Sequence, residues 1–140
     1  MSPTNSPVLL QQGLSRLKSY LNLAEANKGE PALYDALRTA SIQAFEYCYA
    51  LALKAIEREL EGRMAAEILE GFNFRTFIRA AWEAGLVERL EDWDRFRELR
   101  NTTSHTYDDA KAAMVFAALP DFARAVKHLL ARMEERADAH

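Results

Sequence analysis

Between Pro31 and Gly62 the chain runs thirty residues without a proline or a glycine. Those two residues punctuate strands and turns, so a stretch this long without them favours one continuous helix over a hairpin. Two adjacent stripes run along it: Leu37, Ser41, Ala44, Cys48, Leu51 and Ala55, and beside them Ile42, Phe45, Tyr49, Ala52 and Ile56. An apolar arc that wide suits a helix packed on more than one side, which predicts a central position. The second helix is therefore placed from Pro31 to about Leu60, with Gly62 as its C-terminal cap.

Helical spacing extends to both sides. Leu10, Leu14, Leu17, Leu21 and Ala24 recur at four-three-four-three intervals and predict a first helix over about 7–27, entered through Ser6-Pro7 and ended by Asn27-Lys-Gly-Glu-Pro31. Gly62 to Asn73 reads as a connector, with room for a turn or two at Ala65–Leu69. Asn73 is placed to cap a short helix, Phe74–Ala84, which Gly85 stops. Leu86, Leu90, Trp93, Phe96 and Leu99 predict a helix from Leu86 to about Asn101. The run Asn101-Thr-Thr-Ser104 is poor helix material, so a fray or bend is expected there. Asp108 or Asp109 can cap the last helix, which extends to about Arg136 on a stripe of Phe116, Leu119, Ala123, Val126, Leu130 and Met133. Pro120 lies inside it and costs roughly 3 kcal/mol in a straight helix, so a kink or short break is expected near Ala117–Leu119. Short links between long helices imply an all-α, up-and-down antiparallel bundle of four to five helices.

With 140 residues the chain has the length of a single domain, one able to bury a proper core. A net charge of −3 argues against a protein that coats nucleic acid, and leaves room for a small site holding one phosphate. Cys48 is the one cysteine, so neither an intrachain disulfide nor a cysteine-based zinc cluster is available, and its place in an apolar stripe reads as packing. No Asp, Glu and His grouping has metal-ligand spacing, and no glycine-rich loop is placed to cradle a phosphate, so neither metal nor cofactor is expected. The N-terminus lacks the basic and apolar regions of a secretory signal, and no apolar run is long enough to span a bilayer. The expectation is a cytoplasmic protein.

One stretch stands out: Trp93-Asp-Arg-Phe-Arg-Glu-Leu-Arg-Asn-Thr-Thr-Ser-His-Thr-Tyr-Asp-Asp109. Arg100, Asn101, His105 and Tyr107 crowd together where a helix should end. A guanidinium presents a fixed fork of donors to a phosphate, and a histidine takes and returns a proton near neutral pH. Together they suffice for RNA cleavage without a metal: the imidazole moves a proton and the guanidinium stabilises charge on phosphorus. Arg100 and His105 are five apart and diverge by roughly 140° on a regular helix, so convergence requires the bend at Thr102–Ser104. Asn101, four residues before His105, is placed to orient the imidazole. The same residues also read as a capped, salt-bridged and solvated helix end, with Glu98 or Asp108 as partners. His128 and His140 read as surface residues.

Arg100-x4-His105-x-Tyr107 resembles the Rx4HxY motif of HepT-type toxins in the HEPN superfamily, also described as substrate-binding partners of minimal nucleotidyltransferases. Two further blocks follow the family's order. Ala40 to Lys54 resembles its second-helix signature, an aromatic–Glu–aromatic core followed by a lysine, here with Glu46 and Lys54. Arg75-x3-Arg79-Ala-Ala-Trp-Glu-Ala-Gly-Leu-Val87, then Trp93 and Arg100-Asn101, make the other. The likeness covers about residues 10–133. The chain departs from it at Ala44, Ala50 and Leu53, where the signature carries arginine, glutamate and tryptophan.

The resemblance implies a single HEPN-like domain over 1–140 with flexible ends at 1–6 and 137–140. It implies a homodimer with the Arg100 and His105 sites at the subunit interface, acting as a ribonuclease toxin. Asn101, Glu46 and Lys54 would support substrate. The partner would be a nucleotidyltransferase antitoxin that transfers AMP to Tyr107; RNA is the substrate, and neither DNA nor a membrane is expected. A second reading is a non-catalytic subunit that presents substrate to the nucleotidyltransferase, and a third is a dimeric structural bundle.

Overall fold

The structure, a computed structural model, describes residues 6–138. Six helices follow in order: α1 (Ser6–Ala26), α2 (Pro31–Glu61), α3 (Ala66–Glu70), α4 (Phe74–Glu83), α5 (Leu90–Thr102) and α6 (Asp109–Asp138), with a 3-10 turn, Thr103–His105, closing α5. No strand occurs among the described residues. Of the ends expected to be flexible, Ser6 belongs to α1 and residues 137–138 to α6. Residues 1–5 and 139–140, His140 with them, lie outside the described residues.

The molecule is the all-α bundle that the apolar spacing predicts. Four residues join α1 to α2, and the two pack along each other, so they run antiparallel. α2 packs against α1, α3, α4 and α6, the central position its two stripes require. Leu10, Leu14, Leu17 and Ala24 of α1 are buried, as are Ala44, Phe45, Cys48, Ala52 and Ile56 of α2. Burial alone pushes the Cys48 thiol up to about 12, so it packs as a small apolar side chain.

At the centre stands Phe122 of α6, fully buried. Its ring meets Phe45 at 4.8 Å, Phe96 at 5.2 Å, Trp93 at 6.3 Å and Tyr49 at 6.4 Å. The first three meet it edge-on, the geometry that sets the positive rim of one ring against the negative face of another and adds about 0.5–1.5 kcal/mol per pair. Three helices are thereby fixed by one side chain: α2 through Phe45 and Tyr49, α5 through Trp93 and Phe96, and α6 itself. Phe122 is absent from the predicted stripe of the last helix. That helix serves α1 and α2 on one side and α5 on the other, so its buried arc also takes in Ala112, Val115, Phe122 and Leu129. The same breadth leaves His128 half-buried and not on open surface.

Two expectations need correction. α5 begins at Leu90, four residues later than the spacing suggests. Leu86 is fully buried, but in the turn: Gly85 takes φ +82, its N–H donates to Trp82 O at 2.9 Å, and the Leu86 N–H donates to Ala81 O at 2.9 Å. This is the double bond of a Schellman motif, in which the residue after the glycine tucks back onto the helix it has just left. Nor does α6 break at Pro120; the helix runs unbroken from Asp109 to Asp138. Pro120 is exposed, on a side where water can reach the Phe116 carbonyl that its missing N–H leaves unbonded.

Two arginines of α6 complete the end of α4. Arg132 Nε donates to Gly85 O at 3.1 Å and Arg136 Nη1 to Ala84 O at 3.2 Å, setting cations at the negative end of the helix dipole. Gly85→Ala would force a side chain into the left-handed region and place its Cβ 2.8 Å from Arg132 Nη2. A loss of about 1–2 kcal/mol is expected, read as a lower urea midpoint at unchanged slope. An unaltered midpoint would contradict this account of the turn.

Candidate functional site

Four hydroxyls end α5. Thr102 Oγ1 donates to Glu98 O, Thr103 Oγ1 approaches Arg100 O, Ser104 Oγ donates to Asn101 O and Thr106 Oγ1 to Thr103 O, at 2.6–3.3 Å. Each competes for a carbonyl that the next helical N–H would otherwise use, and the backbone tightens into the 3-10 turn where the fray was expected. Asp108 restarts the chain as the cap of α6, its Oδ1 accepting from the N–H of Ala110 at 2.9 Å and of Lys111 at 3.3 Å.

Arg100 projects from the last turn of α5 toward α2. Its Nη1 lies 3.2 Å from Glu46 Oε2 and donates to Thr103 Oγ1 at 3.0 Å. Thr103 Oγ1 in turn donates to Glu46 Oε2 at 2.7 Å. Thr103 is buried, so its hydroxyl needs such a partner. Glu46, Arg100 and Thr103 thus close a ring that ties the end of α5 to the middle of α2. Thr103 had no role in the sequence reading beyond loosening the helix.

A second tie lies eight residues earlier on α2. Arg38 Nη2 pairs with Asp109 at 2.5 Å and with Asp35 at 3.1 Å, its side chain only 15% exposed. The hydrogen bond to Asp109 raises the guanidinium above its ordinary range, against the pull of its burial. Residues 103–109, which carry His105 and Tyr107, are therefore strapped to α2 at both ends. The polar face of α2 between the straps lines a cleft of about 440 Å3 with Arg38, Thr39, Gln43, Glu46, Thr103 and Tyr107.

His105 is exposed at the end of the turn, its ring 6.1 Å from that of Tyr107 and set edge-on to it. Tyr107 is 85% exposed. Helicity ends before Tyr107, so the shared face with Arg100 that a continuing helix would give is not formed. Asn101 is exposed, and no hydrogen bond joins it to His105. No hydrogen bond joins Arg100 to His105, and neither is among the residues that line that cleft. Lys54, two turns along α2 from Glu46, is exposed in a different groove beside Ala50, Leu53 and Phe74. The structure therefore groups Glu46, Arg100 and Thr103, sets His105 beside Tyr107, and leaves Lys54 apart. No three His, Cys, Asp or Glu side chains converge as a metal site among the described residues. No helix among them is long and apolar enough to cross a membrane.

Residues 9–135 match the family described as nucleotidyltransferase substrate binding protein like. The chain belongs to this HepT-like family. It is 35% identical over 103 residues to a Haemophilus influenzae protein named probable ribonuclease HepT, covering 73% of this chain and 70% of that one. A solved Haemophilus influenzae structure, described as revealing the fold of a substrate binding domain of a nucleotidyltransferase, superposes with a TM-score of 0.83. That match has 28% identity and covers 91% of this chain and 98% of that one. A solved Thermus thermophilus structure matches at TM-score 0.69 and 33% identity over 88% and 97% of the two chains.

Within this HepT-like chain the three departures from the family's second helix fall in different places. Ala44 is buried, so its small side chain belongs to the packing between helices. Ala50 and Leu53 line the Lys54 groove. The lining of that groove includes none of Glu46, Arg100 and Thr103, which form a ring of their own. That ring is testable by Thr103→Val, which keeps the shape and removes the hydroxyl. Stability should fall by about 1–2 kcal/mol in urea denaturation, with Thr103→Ser close to wild type. Equal stability of the valine variant would show that the hydroxyl bridges nothing.

Proposed function

We propose that the protein is a HEPN-type ribonuclease that works as a homodimer and is held silent by a nucleotidyltransferase which adenylylates Tyr107. The observation that carries this reading is the turn itself: a nearly fully exposed Tyr107 beside an exposed His105, on a segment strapped to α2 one turn beyond Arg100. Kinship with a protein named probable ribonuclease HepT supports it.

In the proposed reaction the 2′-oxygen of a ribose attacks its own 3′-phosphorus and passes its proton to one His105 imidazole. The bond from phosphorus to the 5′-oxygen breaks, and that oxygen takes a proton from a second imidazole. The products are a 2′,3′-cyclic phosphate and a free 5′-hydroxyl. Arg100 faces the phosphate oxygens as charge gathers on them. One imidazole cannot hold both proton positions at once, so a second copy of the chain supplies the other. A dimer also answers the geometry: within one chain Arg100 is engaged by Glu46 and Thr103 while His105 stands beside Tyr107, and the facing chain would complete the site. Silencing follows from the same turn. When the Tyr107 oxygen attacks the α-phosphorus of ATP, pyrophosphate leaves and the phenol loses its proton. The attached nucleotide adds bulk and one negative charge where substrate phosphate must lie.

A toxin and antitoxin pairing, with the nucleotidyltransferase as antitoxin, is part of this proposal, as is a cytoplasmic location. The non-catalytic substrate-binding subunit is the second reading, favoured by the commitment of Arg100 to Glu46.

Cleavage of RNA separates the two. His105→Ala should lower the rate by about 10²–10⁴-fold and Arg100→Ala by about 10²–10³-fold. Equal background cleavage by wild type and both variants would leave the binding subunit as the reading. In a separate experiment, incubation with a nucleotidyltransferase of this pairing and ATP should add AMP to Tyr107, seen by peptide mass spectrometry. Label that persists in Tyr107→Phe would place the modification elsewhere.

A further inference from the structure

One cation beside the site is unused by the chemistry above. Arg97 stands one helical turn before Arg100 on α5, a spacing that makes the two neighbours on the helix surface. Its guanidinium lies over the ring of Phe74 from α4, 4.6 Å from the centroid. Arg38, Arg95 and Arg100 all pair with carboxylates, whereas no carboxylate pairs with Arg97 among the described residues. Arg97 is exposed, yet the Phe74 face holds it and leaves its edge donors open to solvent.

A third group ties the two arginines together. Tyr49, on the face of α2 one turn beyond Glu46, has its phenol pushed up to about 12 by burial, while Arg97 and Arg100 both act on it in the opposite direction. Arg97 and Arg100, one turn apart, lie along one side of α5, beside the seam where Arg100 meets Glu46 of α2. Of the two, only Arg100 has a carboxylate partner among the described residues, Glu46. The groove beyond Phe74 is different: Glu57 and Glu70 line it together with Lys54. Two neighbouring guanidinium groups, one of them without a carboxylate partner among the described residues, suit a polyanionic backbone better than that groove does.

We infer that Arg97, held flat by Phe74, binds the RNA phosphate next to the one at Arg100 and so sets which stretch of the strand lies across the site. The inference rests on the ribonuclease reading. Arg97 is a binding residue here, with no part in moving protons.

The test measures binding of a fluorescein-labelled 2′-O-methyl oligoribonucleotide, which lacks the nucleophile, by anisotropy over a series of NaCl concentrations. Arg97→Ala should weaken binding at low salt by about tenfold. It should also flatten the slope of log affinity against log salt by about 0.7, the signature of one lost phosphate contact on a single strand. Arg97→Lys should keep the slope. Phe74→Leu keeps an apolar side chain in place and should weaken binding without changing the slope, because the charge survives and only its mooring is lost. Matching thermal denaturation curves establish that the variants are folded. If Arg97→Ala binds with the affinity and slope of wild type while Arg100→Ala is weakened, the inference fails and the ribonuclease reading stands. If wild type itself does not bind the oligonucleotide, the RNA reading fails and takes the inference with it.

Discussion

Phe122 is surrounded by the rings of Phe45, Tyr49, Trp93 and Phe96, so the distance and angle between α2 and α5 are set from behind, by a side chain of α6. This matters because α2 and α5 are remote in sequence. Glu46 and Arg100 come within 3.2 Å only when both helices are seated against that cluster. Edge-on rings tolerate little sliding, since each contact depends on a rim pointing at a face. A helix pair held by interchangeable aliphatic side chains would define the seam less sharply. Phe45 and Glu46 are consecutive in the chain, one directed to the core and the other to the site, and so the packing on one side of α2 fixes the polar geometry on the other.

The seam in turn governs the turn that follows α5. A stretch this rich in hydroxyl-bearing residues would otherwise fray, because each can satisfy a carbonyl locally at small cost. Here the fraying is limited at two points. Thr103 is drawn under the end of α5 by Glu46, and Asp109 is drawn to α2 by Arg38. Between them, His105 and Tyr107 remain exposed on a segment tied to α2 at both ends. Exposure with fixed ends is what a residue needs when an outside enzyme must reach it and the side chains beside it must keep their place.

Much of this was legible in the sequence, and the failures have specific causes. The long helix from Pro31, the cap at Asn73 and the stop at Gly85 follow from local chemistry, and local chemistry prevailed. Leu86 misled because four residues separate it from Leu90, a helical interval; its burial comes from capping α4 and not from membership of α5. Phe122 falls outside the single predicted stripe because α6 packs on two sides, and Pro120, two residues before it, predicts an interruption there. At the site, Glu46 was reached through the family likeness, whereas Thr103 and Arg38 were not reached at all. Their roles depend on partners 57 and 71 positions away, and no spacing rule spans such separations. Arg97 stood in plain view in the unusual stretch, but its distinction is the absence of a carboxylate, a property that only the folded arrangement displays.

The pairing of Arg100 with Glu46 bears on how such a site could work. Both side chains keep a third or more of their surface in water, at 44% and 33%, and an ion pair in that setting is worth only about 0–1 kcal/mol once solvent screening is counted. A bond that weak does not lock the guanidinium away. In the proposed reaction it would hold the fork in one orientation until a phosphate, which offers more acceptor oxygens in a bidentate geometry, displaced it. Thr103 would ease that exchange, because its hydroxyl donates to Glu46 independently of Arg100 and would keep the carboxylate bonded. Glu46 would then serve as a placeholder for the substrate's own charge. Arg97 has no such placeholder; its aromatic mooring restrains position without neutralising charge. Under the proposed reading, a strand arriving at the seam would meet Arg97 as a full positive charge and Arg100 as a partly compensated one, and that difference would set the order of contact, with capture at Arg97 preceding the exchange at Arg100.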